Sequence, residues 1–207
     1  MHVHVAVLHE GWIRWELSSM LNRILLGKKP CKVSLQYYGP DPEGRPIDSN
    51  RNRIARDRPK IADFVLMLDS DVIPPPNVLD LVKLDLDVVG CPSPIWRPPH
   101  VVINIKPLNG AETVQVGNDE IVEVEVVGGG AYLIASRVLD ALQIPFAYEY
   151  GGDGVRISSE DHVFCQRARE AGFRIWAAMG YLLGHIKSVN LVNIPENQSW
   201  ETKSSET

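Results

Sequence analysis

Through the first ninety or so residues of the chain, short runs of apolar residues alternate with segments in which apolar residues recur at helical spacing. The runs predict strands over 3–8, 32–38, 62–68 and 88–90, and the spaced residues predict helices over 13–27, 50–58 and 77–84. Phe64 to Leu68 is apolar at every position, as expected of a central parallel strand covered on both faces. Strands that alternate with helices predict an α/β fold with a mostly parallel central sheet.

The second half of the chain, after Cys91, has a different pattern. Its β-branched runs are separated by turn signals, which predicts a small antiparallel part of the sheet. The runs lie at 101–106 and 121–127, and the turn signals at Asn109-Gly110 and Gly117-Asn118. Helical spacing resumes further on and predicts two more helices, over 133–142 and 158–171.

The length and composition of the chain fit one folded domain. With 207 residues, of which 44% are hydrophobic and 23% charged, the chain can bury a sizeable core and resembles an ordinary globular protein. We expect a single domain over 1–195 and a flexible polar tail over 196–207. The sequence does not indicate an oligomeric state.

The net charge and the spacing of the cysteines argue against several classes of protein. A net charge of -5 argues against general nucleic-acid binding, which depends on attraction to phosphates. The 3 cysteines lie far apart without a CxxC pair, so we expect free thiols in a reducing cytoplasm. No apolar stretch approaches the roughly 20 residues that cross a bilayer, and the first residues lack the features of a signal peptide, so we expect no membrane span.

Two acidic residues end the most apolar strand. Asp69 and Asp71 are two positions apart, so on a strand both carboxylates point the same way and can face one site. Hard oxygen ligands suit Mg²⁺ or Mn²⁺, and open α/β sheets bind their ligands at the carboxyl ends of the strands. The structural alternative is a polar turn between the strand and the prolines that follow.

A second acidic pair, Glu160 and Asp161, lies near the start of the predicted helix over 158–171. Ser158 and Asp161 have capping-box spacing, and acidic residues in a first turn complement the helix dipole, so one interpretation is structural. The other is catalytic, because a carboxylate held at a helix start can take a proton from a hydroxyl. His185 is either a packed histidine or a further ligand of a carboxylate metal site.

Three further features point to a ligand more weakly. The glycines at 128–130 either let the backbone approach a ligand or only form a bend. The basic residues over 51–60 are a solvated helix face or a diphosphate site, for which Arg51 and Arg53 are candidates because a guanidinium fork matches phosphate oxygens. Trp96 either packs or stacks on a sugar. Neither GxGxxG nor a P-loop occurs.

Taken together and in this order, several stretches resemble the GT-A glycosyltransferases, especially the family 2 type. They are Asn50-Arg51-Asn52-Arg53-Ile54-Ala55, Phe64-Val65-Leu66-Met67-Leu68-Asp69-Ser70-Asp71, Val127-Gly128-Gly129-Gly130-Ala131-Tyr132-Leu133-Ile134, Ser159-Glu160-Asp161-His162-Val163-Phe164-Cys165 and Gly184-His185. The resemblance implies a GT-A fold, with a nucleotide-binding half over 1–90 fused to an acceptor-binding half over 91–195. It also implies a nucleoside-diphosphate sugar donor, of the UDP or GDP type, and an acceptor hydroxyl of unknown class.

The resemblance implies roles for individual residues. Asp71 is similar to the metal-binding acid of the DxD motif, Asp69 to its partner at the ribose or the metal, and His185 to the histidine that completes an Mn²⁺ or Mg²⁺ site. Asp161 is similar to the general base of inverting enzymes. The remaining candidates are Ser70, Arg51, Arg53 and His9 for the nucleotide, and Glu160, Gly129, Gly130 and Trp96 for the sugar or the acceptor.

The sequence therefore predicts a metal-dependent glycosyltransferase that inverts with Asp161 as general base. Retaining enzymes share the metal site, so retention stays open. The chain departs from the family pattern after the second strand, where the loop over 39–46 leaves Asp41 as the only near candidate for base recognition. Two alternatives stay open: a haloacid-dehalogenase-like phosphohydrolase, whose nucleophile also lies in a DxD after an apolar strand, and a non-catalytic nucleotide- or sugar-binding domain.

Overall fold

The computed structural model describes residues 1–97, 100–108 and 117–187. The helices are α1 (Trp15–Leu26), α2 (Ile47–Asp57), α3 (Ser136–Ala141) and α4 (Glu160–Glu170), with a 3₁₀ helix at Val78–Leu84. The strands are β1 (His2–Leu8), β2 (Lys32–Tyr38), β3 (Phe64–Asp69), β4 (Val72–Ile73), β5 (Val88–Gly90), β6 (Pro94–Arg97), β7 (His100–Ile103), β8 (Ile105–Pro107), β9 (Ile121–Val127), β10 (Ala131–Ala135), β11 (Glu149–Tyr150), β12 (Arg156–Ser158), β13 (Ile175–Ala178) and β14 (Gly184–His185). The predicted tail over 196–207 and the predicted turn at 109–110 lie outside the described residues.

The central sheet has 8 strands in the order β2, β1, β3, β10, β5, β13, β9 and β8. The pairs β1–β2, β1–β3 and β5–β13 are parallel, whereas β10 and β9 run antiparallel to both of their neighbours. All strands of the sheet except β9 and β10 therefore run in one direction. The predicted α/β fold with a mostly parallel central sheet is confirmed, and the pairs β6–β7, β11–β12 and β4–β14 form small antiparallel ladders beside it.

The prediction of a helix over 133–142 is wrong in its first part. Ala131–Ala135 form strand β10, which is buried at every position and pairs with β3 on one side and β5 on the other. A short continuous apolar run fits a buried strand as well as a buried helix, and neighbouring strands on both sides favour the strand. Helix α3 begins only at Ser136.

Buried apolar side chains from both halves of the chain form one core, from Val3 in β1 to Leu183 just before β14. In β3 every residue before Asp69 is buried, as the apolar run predicted. Helix α1 buries Leu17, Leu21 and Ile24, which recur at helical spacing and so lie on one face. In the described part of the chain, no helix combines the length and the apolar character that crossing a membrane requires.

The register of the strands brings several predicted residues to one edge of the sheet. Leu8, at the end of β1, pairs with Tyr38 on one side and Asp69 on the other, so the carboxyl ends of β1, β2 and β3 are level. The turn between β9 and β10 reaches the same edge because β10 runs the opposite way. There the backbone N–H of Asp69 donates to the carbonyl oxygen of Gly130 at 3.1 Å. The DxD motif, Asp69-Ser70-Asp71, and the glycine turn at 128–130 therefore meet at the edge where α/β sheets bind ligands.

Candidate active site

A cavity of about 790 Å³ opens at this edge of the sheet. All the residues that the sequence singled out for the site lie in the described part of the chain. Those that line the cavity are His9, Asp41, Arg51, Asp69, Ser70, Asp71, Gly129, Gly130, Glu160, Asp161 and His185. Arg53 and Trp96 do not line it. The folded chain thus brings together two acidic pairs, at 69 and 71 and at 160 and 161, that are about ninety positions apart in sequence.

A buried arginine holds Asp69 in place. Arg51 Nη2 donates to Asp69 Oδ1 at 2.8 Å and to the carbonyl oxygen of Gly129 at 3.1 Å. Arg51 Nε lies 3.4 Å from Glu160 Oε1, at ion-pair distance, and the Arg51 side chain is 1% exposed. Its guanidinium lies 5.8 Å from the ring centroids of both Tyr132 and Phe146. One cation therefore joins the end of β3, the glycine turn and the start of α4.

The pKa values of this cluster reflect its burial. Burial raises the pKa of Asp69 to about 6, and the carboxylates of Asp71 and Glu160 add to the rise while Arg51 opposes it. Burial also works to lower the pKa of Arg51, but Asp69 and Glu160 outweigh that effect and its pKa is raised. Arg51 is therefore a permanent positive charge among carboxylates that would otherwise repel one another.

Asp71 lies beside His185, as the predicted metal site requires. His185 Nε2 is 3.4 Å from Asp71 Oδ2, while His185 Nδ1 is 2.7 Å from the carbonyl oxygen of Pro94 and 3.2 Å from Ser93 Oγ. Because a carbonyl oxygen can only accept a hydrogen bond, Nδ1 carries the proton. In the neutral ring this leaves the lone pair on Nε2, beside Asp71, which is the form of histidine that binds a metal.

Lys187 is a charged residue of the site that the sequence did not single out. Its ammonium group donates a hydrogen bond to Asp71 Oδ2, the same oxygen that faces His185. Lys187 lines the cavity. Its sequence signal is slight, because it belongs to no motif and is marked only by lying two positions after His185, where an extended chain places side chains on the same side.

Asp161 is held by hydrogen bonds that leave one position open. Its Oδ1 accepts from the Ser159 hydroxyl and from the backbone N–H of His162 at 2.9 Å, and its Oδ2 accepts from the backbone N–H of Gly129 at 3.3 Å. A carboxylate offers about four lone-pair sites, so among the described residues one site on Oδ2 is left without a donor. The predicted capping box is wrong in detail, because Ser159, not Ser158, is the N-cap of α4 and its hydroxyl bonds to Asp161 instead of capping.

Glu160 is buried between Arg51 and Tyr148. Burial raises the pKa of Tyr148 to about 12, and the negative charge of the Glu160 carboxylate adds to the rise. Tyr148 immediately precedes strand β11 and was not predicted as a site residue. The ion pair with Arg51 holds Glu160 at the cavity wall.

The loop after β2 forms the cavity wall on the side of α2. Asp41 Oδ1 accepts hydrogen bonds from the backbone N–H of Glu43 at 2.9 Å and from Arg45 Nε at 3.1 Å, while Oδ2 accepts from the Ser49 hydroxyl at 3.2 Å. The hydrogen bond from Arg45 is the main cause that lowers the pKa of Asp41 to about 2. Asp41 thus organises its own loop. Arg45 and Asn50 also line the cavity and were not predicted.

Two predicted residues lie elsewhere. Arg53 Nη2 donates to the carbonyl oxygen of Gly39 at 2.9 Å, and its guanidinium lies 5.6 Å from the Tyr38 ring centroid. Trp96 is on strand β6 and is 47% exposed. The sequence could not show that Arg51 lines the cavity and Arg53 does not, since both belong to one run of basic residues.

Position 129 requires glycine because the Arg51 side chain approaches its backbone closely. A Cβ at this position would lie 2.7 Å from Arg51 Nη2, so Gly129→Ala must displace the guanidinium from Asp69. We expect a loss of about 1–3 kcal/mol in the free energy of unfolding, as for other overpacked sites, measured by urea denaturation. Gly152→Ala is the matched control, since no atom lies within 4 Å of its Cβ. Equal stability of the two variants would contradict this account.

The cavity contains two side chains that could be ligands of the metal that the resemblance implies. Among the residues that the structure describes, no group of three or more His, Cys, Asp or Glu side chains is arranged to hold a metal ion. The Asp71 carboxylate and the His185 Nε2 lone pair are nevertheless adjacent and suit Mn²⁺. Metals bound through one or two side chains take further ligands from substrate phosphates and water. The donor set therefore fits a metal shared with a diphosphate.

Comparison with solved structures identifies the fold as GT-A, the nucleotide-sugar transferase fold. Structures of glycosyltransferases match over about nine tenths of this chain, with the sheet described above. Neither a scan against protein-family models nor a search of curated proteins finds a match.

The matching structures are distant in sequence. A197 from STIV has a TM-score of 0.60 and 16% identity, covering 91% of this chain and 87% of that chain. The catalytic domain of Drosophila beta1,4galactosyltransferase 7, in complex with xylobiose, has a TM-score of 0.57 and 15% identity, covering 90% and 71%. GalNAc-T7 with UDP, GalNAc and Mn²⁺ has a TM-score of 0.54 and 10% identity, covering 90% of this chain but 43% of that chain. At these identities the likeness is one of fold.

Proposed function

We propose that the protein is a metal-dependent glycosyltransferase that moves a sugar from a nucleoside-diphosphate sugar to an acceptor hydroxyl. The observation that carries this proposal is that Asp69, Asp71, Glu160, Asp161 and His185 line one cavity in a GT-A fold. The structures with UDP, GalNAc and Mn²⁺ and with manganese, UDP-Gal and xylobiose support a donor of the UDP type.

Asp71 and His185 are the proposed protein ligands of Mn²⁺ or Mg²⁺. When bound, the metal would offset the negative charge that develops on the departing diphosphate. The hydrogen bond from His185 Nδ1 to Pro94 keeps Nε2 free to bind. Arg51 keeps Asp69 in position at the end of β3, where Asp69 is proposed to meet the ribose or the metal.

Asp161 is the proposed general base, acting through Oδ2. The acceptor hydroxyl would give its proton to Oδ2 while its oxygen bonds to the anomeric carbon and the bond from that carbon to the diphosphate breaks. Attack from the face opposite the leaving group inverts the anomeric configuration. The hydrogen bonds from Ser159, His162 and Gly129 hold the carboxylate in one orientation, which efficient proton transfer requires.

The phosphohydrolase alternative loses its support from the fold. The strand that carries the DxD motif pairs with the antiparallel strand β10, in a sheet that matches glycosyltransferases.

Thermal unfolding with UDP, GDP, CDP and their sugars, with and without Mn²⁺, tests the proposal. A donor at about 100 times its Kd stabilises by about 2.7 kcal/mol, so we expect a Mn²⁺-dependent rise in Tm for one nucleotide class. No rise with any of them would contradict the proposal.

Asp71→Ala is expected to weaken nucleotide-diphosphate binding in Mn²⁺ by about tenfold or more, since changes even behind metal ligands cost ~10–100-fold in metal affinity. Isothermal titration with the nucleotide found above measures this. In EDTA the loss should disappear, because no metal then links Asp71 to the diphosphate. Asp57→Ala, an exposed acid that pairs with Arg56, is the control. An equal loss in EDTA would mean that Asp71 does not act through a metal.

A further inference from the structure

Lys187 occupies the carboxylate oxygen that the proposed metal needs. Its ammonium group is hydrogen-bonded to Asp71 Oδ2, and His185 Nε2 lies 3.4 Å from the same oxygen. The Nδ1 proton of His185 goes to Pro94, so Nε2 is the ring atom that faces Asp71. Lys187 brings a full positive charge to the Asp71 carboxylate.

The backbone on either side of this contact is fixed, while the side chain can move. Strand β14 pairs with β4, with His185 opposite Val72, and the backbone N–H of Ile186 donates to the carbonyl oxygen of Asp71 at 2.9 Å. The Lys187 side chain leaves this anchored backbone on a four-carbon stem and is 53% exposed. A lysine ammonium is a compact point charge on a flexible stem, which suits it to exchange one anionic partner for another.

We propose that Lys187 is a movable counter-cation of the site, which pairs with Asp71 when the cavity is empty and moves to the diphosphate when metal and donor bind. This inference rests on the proposed function. A divalent cation and the Lys187 ammonium compete for Asp71 Oδ2, because two positive charges at one oxygen repel each other. The released ammonium then lies at the cavity wall, where lysine binds phosphate oxygens as a point charge.

The proposal predicts effects of opposite sign for one substitution. Lys187→Met keeps the length of the side chain and removes its charge, so Asp71 becomes free for the metal. We expect Mn²⁺ alone to bind about two- to fivefold more tightly, the range set by a partly exposed ion pair. UDP, the probe nucleotide, should bind more weakly at saturating Mn²⁺, because the diphosphate has lost the cation that the metal releases from Asp71. A side chain with only a structural role would weaken both.

Electron paramagnetic resonance of free Mn²⁺ measures the first effect, and isothermal titration of UDP at saturating Mn²⁺ measures the second. Lys106→Met is the matched control, since Lys106 is a similarly exposed lysine that pairs with Glu125 on the neighbouring strand. Mn²⁺ binding that is unchanged or weaker in Lys187→Met overturns the proposal, and so does UDP binding that is unchanged at saturating Mn²⁺. If the proposed function itself were wrong, the result would differ, because the unmodified protein would then bind no UDP even with Mn²⁺.

Discussion

Asp161→Asn is expected to lower the rate of sugar transfer by about 10²–10⁴-fold and to leave donor affinity as it was, because it removes a positioned base and little else. The amide can keep its oxygen at Oδ1, where Ser159 and His162 donate hydrogen bonds. Its NH₂ group then takes the place of Oδ2, whose described partner is the 3.3 Å contact from Gly129. The substitution therefore replaces the free lone pair with a donor.

The measurement is turnover at saturating donor, together with donor affinity by titration. Glu170→Gln is the control, since Glu170 ends the same helix and bonds to Gln166 on its exposed side. A rate that matches the control would remove Asp161 from the role of base. A parallel loss of donor affinity would assign it to binding instead.

Arg51→Met is expected to lower the free energy of unfolding by about 3–5 kcal/mol, the cost of leaving buried charges without their partner. Asp69 and Glu160 would lose the cation that lies between them, and the carbonyl oxygen of Gly129 would lose its donor. For a chain of this length, such a loss lowers Tm by roughly 6–20 °C. Urea denaturation followed by circular dichroism measures the free energy directly.

Arg56→Met is the matched control on the same helix, because Arg56 is exposed and pairs only with its neighbour Asp57 among the described residues. A change within about 0.5 kcal/mol is expected there. Arg51→Lys is the second variant, which keeps the charge but not the planar fork that reaches Asp69 and Gly129 together. Stability of Arg51→Met equal to that of the control would contradict the buried cluster.

The fold could be predicted from the sequence where hydrophobic period and topology agree. The apolar run before Asp69 lies among strands that alternate with helices, which predicts a covered central strand of a parallel sheet. The sequence could not place β10, because an isolated apolar run has no period, and its identity as a strand depends on β3 and β5 beside it. The short strands β13 and β14 were also missed, since each is recognisable only through its pairing, β13 with β5 and β9 and β14 with β4.

The residues of the candidate site also divide into those that the sequence could predict and those that it could not. Asp69, Asp71, Asp161 and His185 belong to motifs with recognisable neighbours, and all of them line the cavity. Lys187 and Tyr148 carry no motif and enter the site through tertiary contacts with Asp71 and Glu160. The burial of Arg51 was also beyond the sequence, since its basic neighbours in α2 indicate a solvated face.

Release of nucleoside diphosphate from a panel of UDP- and GDP-sugars, with Mn²⁺ and a set of hydroxyl acceptors, is the measurement that tests the central claim most directly. The account predicts release that needs both metal and acceptor and that falls to background in Asp161→Asn. Tight Mn²⁺-dependent nucleotide binding without release from any donor would contradict it, as would hydrolysis of a simple phosphate ester in the absence of nucleotide.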